Sequence, residues 1–85
     1  MNWTVLLQPL AQQQLGALLA DPTAAPGVLR AVYRVDAVLG YFPDRVGESR
    51  DAGERVIFEP PLTVYYEIDK DAGAVHILRI LMPPS

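Results

Sequence analysis

The chain has 85 residues, room for one domain spanning residues 1–85, and its 51% hydrophobic and 20% charged composition supports a core with apolar surface left over for a partner. A net charge of −3 and a sequence pI near 4.8 argue against sequence-independent nucleic-acid binding, which relies on a basic excess. The absence of cysteine excludes a disulfide framework and a thiolate metal site, and fits a reducing, cytoplasmic setting.

Residues 2–7 are apolar and include the β-formers Trp3, Thr4 and Val5, which predicts a first strand. Pro9 breaks it and suits a helix start. Ala11, Leu15, Leu18 and Leu19 then follow helical spacing, so a short, uncharged helix is expected. The stretch lacks a basic leader region, and Gln12, Gln13 and Gln14 interrupt it well short of a membrane span. The cluster Asp21-Pro22-Thr23-Ala24-Ala25-Pro26 ends the helix, with Thr23 placed to cap the next one. Val28, Val32, Val35, Leu39 and Phe42 give the second helix its apolar face, and the short connection predicts a helical hairpin closed by Pro43.

Residues 44–54 are rich in Gly, Asp, Glu and Arg and read as a connection with room for one short strand. Residues 55–58 form a strand stopped by Pro60-Pro61. In residues 62–68, Leu62, Val64, Tyr66 and Ile68 alternate against Thr63, Tyr65 and Glu67, which sends the two adjacent tyrosines to opposite faces. Residues 69–73 make a hairpin turn in which Gly73 supplies positive φ, and residues 75–81 are the last strand. The expected architecture is α+β: an antiparallel sheet in β-α-α-β-β-β order with the two-helix hairpin on one face, and the first strand paired to a later one.

Several side chains are candidates for chemistry. His76 is the only histidine and so the only ordinary general base near neutral pH, but with no second titratable partner fixed near it in sequence the favoured reading is a histidine on the exposed face of a strand. One histidine without cysteine falls short of a metal-ligand set, and nothing in the sequence calls for a cofactor. Arg50, Arg55 and Arg79 lie on or beside the sheet and can form a patch for an anion or an acidic partner, or can pair with Glu48, Glu54 or Glu67. The outward member of Tyr65 and Tyr66 can stack on a base or anchor a partner. Arg30 and Arg34, one turn apart on the second helix, read as a solvated stripe or a landing site for an acidic segment. Trp3 is expected at the sheet edge.

The run Gly47-Glu48-Ser49-Arg50, then Gly53-Glu54-Arg55-Val56-Ile57-Phe58-Glu59-Pro60-Pro61-Leu62-Thr63-Val64-Tyr65-Tyr66-Glu67-Ile68, resembles a recurring stretch of the RelE/ParE superfamily of toxins, the plasmid-stabilisation type of type II toxin–antitoxin systems. The closing residues 75–81 resemble that family's last strand, and the order of elements matches its layout. The resemblance implies a toxin-like protein neutralised by a protein antitoxin. RelE-type members cleave messenger RNA on the ribosome with basic side chains on the central strands and a functional group after the last strand. Here Thr63 stands where an arginine is common, and only Met82-Pro83-Pro84-Ser85 follows the last strand. ParE-type members inhibit DNA gyrase and need no nuclease site, so the resemblance implies a ParE-like or inactive toxin ahead of a ribosome-dependent endonuclease built from His76, Arg55 and Arg79. A different class of reading is a non-toxic interaction module that forms a homodimer through the uncharged first helix or a sheet edge.

Overall fold

The computed structural model describes residues 2–83; Pro84 and Ser85 of the expected C-terminal segment lie outside it. Seven elements follow one another: β1 (Thr4–Leu7), α1 (Pro9–Leu19), α2 (Ala25–Tyr41), β2 (Glu48–Ser49), β3 (Arg55–Glu59), β4 (Leu62–Asp69) and β5 (Ala74–Leu81), with a short 3-10 turn over Asp51–Gly53. The strands form one sheet in the order β1-β5-β4-β3-β2. The α+β class therefore holds, but the sheet is mixed where a wholly antiparallel one was expected. β1 runs parallel to β5, with Thr4 opposite Ala74 and Leu7 opposite Ile77, while the other pairings are antiparallel. The chain must cross the whole helical layer before β5 returns beside β1, and such a crossover permits a parallel pair.

Both helices cover one face of the sheet. The core joins Ala11 of α1 and Val28, Ala31, Val35 and Leu39 of α2 to Leu62, Val64 and Tyr66 of β4 and Val75, Ile77 and Ile80 of β5. Two expected features of α2 differ. Phe42 is half exposed at the helix end, not part of the core, and Ala31 takes the inward place between Val28 and Val35. Thr23 does not cap the helix either. The cap residue is Ala24, and the Asp21 side chain accepts the Thr23 amide at 2.9 Å to form the turn that precedes it.

α1 has a use for its glutamines that its lack of charge conceals. β1 covers β5 only as far as Ile77, so the Ile80 amide has no neighbouring strand on that side. Gln14 fills the gap, its Oε1 accepting from the Ile80 amide at 2.7 Å, and Gln12 Nε2 donates to the Leu7 carbonyl at 3.0 Å. Backbone groups left open by a short strand are thus satisfied from the helix above them.

Candidate functional site

Cross-strand partners share a face, so the registers assign each candidate to a side of the sheet. Away from the helices lie three rows: Leu6, His76 and Glu67; Arg79, Tyr65 and Val56; and Leu81, Thr63 and Phe58. β5 carries an extra residue in this region, because Tyr65 faces Arg79 while Tyr66 faces Ile77. The bulge at Leu78 breaks strict alternation, turning Ile77 and Ile80 inward and both His76 and Arg79 outward.

Arg79 is the centre of the outer face. Its Cζ stands 4.0 Å from the centroid of the Tyr65 ring, and its Nη2 donates to Glu54 Oε1 at 2.7 Å. Its Nε is buried without a hydrogen-bond partner among the described residues. Beside this pair opens a polar cleft of about 510 Å³ lined by Ser49, Arg50, Asp51, Glu54 and Tyr65. Arg50 is held at the cleft rim by Glu48, Nη1 to Oε2 at 3.1 Å. Of the three sheet arginines grouped from the sequence, Arg50 lines this cleft, while Arg79 touches two residues of its lining, Glu54 and Tyr65.

Arg55 is elsewhere. It shares the helix-facing side with Tyr66, and no carboxylate pairs with it among the described residues. Its Nη2 donates to the Val46 carbonyl at 2.9 Å and its Nε to the Tyr66 hydroxyl at 3.3 Å. That hydroxyl also lies 2.8 Å from the Pro43 carbonyl and 2.9 Å from the Val46 carbonyl. Burial pushes the Tyr66 phenol above its ordinary pKa, with Arg55 opposing the shift. The geometry makes Arg55 and Tyr66 a clamp on residues 43–46, the segment that carries the chain from α2 to β2. Tyr66 is fully buried and Tyr65 is the outward one, in keeping with the alternation in the sequence.

His76 is half buried on the outer face. Gln8 Nε2 donates to its Nδ1 at 2.8 Å, which leaves the hydrogen of the neutral ring on Nε2, and Asp69 Oδ2 lies 3.8 Å from that nitrogen. Both neighbours escaped the sequence reading. Gln8 is 68 positions away, and Asp69 reads as a turn residue until the β4–β5 register brings it alongside. No group of His, Asp and Glu among the described residues is arranged to hold a metal ion.

A second surface lies along α2. Leu29, Tyr33, Ala37 and Tyr41 recur every fourth position as an exposed ridge, flanked by Arg30 and by Arg34, whose Nη1 is 3.5 Å from Glu59 Oε2. Between this ridge and β1 runs an apolar cleft of about 230 Å³ walled by Val5, Leu7, Val32 and Tyr33 and floored by Leu62, Val64, Ile77 and Ile80. A second hollow of about 200 Å³ adjoins it, sharing Val5 and Asp36 and ending at Trp3, Gly40 and Tyr41. β1 is an edge strand, so the groove runs beside an open edge of the sheet. Sequence reasoning singled out Arg30 and Arg34 here and passed over the ridge between them, although its period of four was readable.

With this geometry in place, the architecture can be set beside known structures. A chain of the RelBE2 toxin–antitoxin complex of Mycobacterium tuberculosis superposes with a TM-score of 0.82 at 25% identity, over 100% of this chain and 95% of that one. The fold is that of the RelE/ParE-type toxins. A chain of the chromosomal ParDE system of P. aeruginosa gives a TM-score of 0.75 at 16% identity, covering 96% and 97% of the two chains. A chain of the archaeal RelE–RelB complex of Pyrococcus horikoshii OT3 gives 0.65 at 13% identity, covering 96% of each. No sequence-family model matches the chain, and no curated protein sequence matches it. On this fold the present chain carries Arg50 and Arg79 paired to carboxylates and an apolar groove beside α2.

Proposed function

We propose that the chain is the toxin-like component of a type II toxin–antitoxin module, held in complex by a protein antitoxin that docks along the groove between α2 and β1. The observation that carries this reading is the groove itself: two adjoining apolar hollows, a ridge of Leu29, Tyr33, Ala37 and Tyr41, and an open strand edge in one line. An amphipathic helix or an added strand is the kind of segment that fits such a surface. Arg30 and Arg34 beside the ridge favour an acidic partner segment. Complexes of this type are what the similar structures contain.

For the activity, a ParE-like or inactive toxin is favoured over an mRNA-cleaving one. RNA cleavage needs cations free to meet a phosphate and a base poised by it. Here Arg79 and Arg50 are each engaged by a carboxylate, and His76 accepts from Gln8. Growth of a culture after induced expression, with and without the neighbouring open reading frame, tests the proposal. Arrest relieved by the neighbour supports it, and so does loss of that relief in Tyr33→Asp, a change at an exposed site that leaves the core intact. Failure of the neighbour's product to co-purify with the wild-type chain would sink the docking reading.

A further inference from the structure

The smaller hollow of the α2–β1 groove, about 200 Å³, is lined by Trp3, Asp36, Ala37, Gly40 and Tyr41 among others, and its chemistry differs from the apolar cleft beside it. Three features there favour a cation. Asp36 has no ion-pair partner among the described residues, whereas Arg34, two positions before it, meets Glu59. The hollow lies toward the C-terminal end of α2, where unpaired carbonyls gather negative potential, and the last turn of that helix carries no basic residue to answer it. Arg45, beyond the helix, stands 6.0 Å from the Phe42 ring and does not line the hollow. Trp3 and Tyr41 supply aromatic surface, which attracts cations and suits the flat guanidinium best. The Trp3 amide donates to the Gly40 carbonyl at 2.7 Å, which ties the N-terminal end of the chain to this stretch of α2.

We propose that this hollow seats the guanidinium of one arginine on the segment bound in the groove, with Asp36 as its counter-charge and Trp3 and Tyr41 as its aromatic walls. The inference rests on the docking reading and adds a charge pattern to the partner. At about 100° per residue, Asp36 and Arg30 fall on opposite sides of Tyr33, so the exposed ridge of α2 divides a basic flank from an acidic one. A segment laid along that ridge matches it with acidic groups toward Arg30 and a single arginine over the hollow. A wholly acidic segment would set its charge against Asp36 and the end of the helix, so Asp36 selects among acidic partners. Asp36 is exposed, and its attraction is that of a screened surface charge, enough to discriminate and not to hold the complex alone.

Trp3 is the only tryptophan, so its emission and its indole ¹H–¹⁵N signal report on this hollow alone. The probes are N-acetyl-L-argininamide and its uncharged counterpart of the same shape, N-acetyl-L-citrullinamide, titrated at constant ionic strength set with chloride. The arginine probe is expected to shift the Trp3 signal and the Gly40 and Tyr41 amides, and the citrulline probe to leave them in place. In Asp36→Asn the midpoint for the arginine probe should rise about threefold. The affinity of the neighbouring gene product should fall by a similar factor in Asp36→Asn and by about tenfold in Asp36→Arg, where repulsion replaces attraction. Equal responses to the two probes, or an arginine midpoint unchanged in Asp36→Asn, overturns the proposal. So does a neighbouring gene product that binds the wild type, Asp36→Asn and Asp36→Arg alike, and that result leaves the docking reading standing. A product that fails to bind the wild type instead sinks the docking reading, and the proposed occupant goes with it; the two failures are thereby told apart.

Discussion

Replacing Gly47 by alanine tests how the segment before β2 is held. Gly47 has φ of 70°, and a methyl group there would stand 2.6 Å from the Val56 carbonyl oxygen and 2.8 Å from the Tyr66 hydroxyl. Neither neighbour can step aside cheaply. The carbonyl belongs to β3, which is paired on both sides, and Tyr66 is fully buried and bonded to the loop. Left-handed backbone costs a non-glycine residue about 1–2 kcal/mol, and forced overpacking adds about 1–3 kcal/mol. Gly53 is the control, since its φ is 79° but, its chain neighbours aside, no atom of the described residues lies within 4 Å of the methyl position. Gly53→Ala bears the backbone term alone, reduced by about 0.4–1 kcal/mol because alanine also restricts the unfolded chain. The same reduction applies to Gly47→Ala, so expected losses are about 1–4.5 kcal/mol there and about 1 kcal/mol or less for Gly53→Ala, a difference of about 1–3 kcal/mol set by the overpacking. At about 4–8 °C per kcal/mol for a domain of this size, the melting temperatures should separate by about 4–24 °C, Gly47→Ala being the lower, in thermal unfolding followed by circular dichroism. Equal shifts for the two variants would refute the steric argument and with it the claim that the loop is packed tightly against β3.

Tyr66→Phe should cost about 1–3 kcal/mol near neutral pH, since it strips the Pro43 carbonyl of its hydroxyl partner while Arg55 still serves Val46. It should also flatten alkaline unfolding: the folded phenol has a raised pKa, so its contribution is complete below about pH 10 and is lost as pH rises through the folded value, and denaturant melts at pH 9 and 11 measure the difference. Gln14→Ala leaves the Ile80 amide without its acceptor and should cost about 1–2 kcal/mol, with faster hydrogen exchange at Ile80, whereas Gln12→Ala, which loses an exposed bond, should change stability by less than about 0.5 kcal/mol.

Much of the layout was legible because local signals agreed. Pro9 does open α1, Gly73 does take positive φ in the last hairpin, and the alternation in β4 separates Tyr66 from Tyr65. The parallel β1–β5 pairing was not legible, since direction depends on which strand β1 meets after a crossover, and nothing in four residues encodes that. Nor was the role of Gln8, Gln12 and Gln14, whose partners are set by where a neighbouring strand stops and by the arrangement of the helices over the sheet.

The arginines show why the candidate site was harder to read than the fold. In β3 the apolar pair Val56 and Phe58 alternates with Arg55, Ile57 and Glu59, and an ordinary reading turns the first pair inward. The hairpin register reverses this: Ile57 faces Val64 and Arg55 faces Tyr66 on the helix side, leaving Phe58 exposed. The charge is tolerated there because the Val46 carbonyl and a phenol meet it near the sheet margin. In β5 strict alternation from Val75 and Ile77 would send Arg79 into the core, and the bulge at Leu78 rotates it out onto Tyr65. One register and one inserted residue thus decide which arginine is a clamp and which lies on the outer face against Tyr65. Both are relations between strands, so composition and single-strand periodicity leave them open, and the site's chemistry follows from pairing geometry.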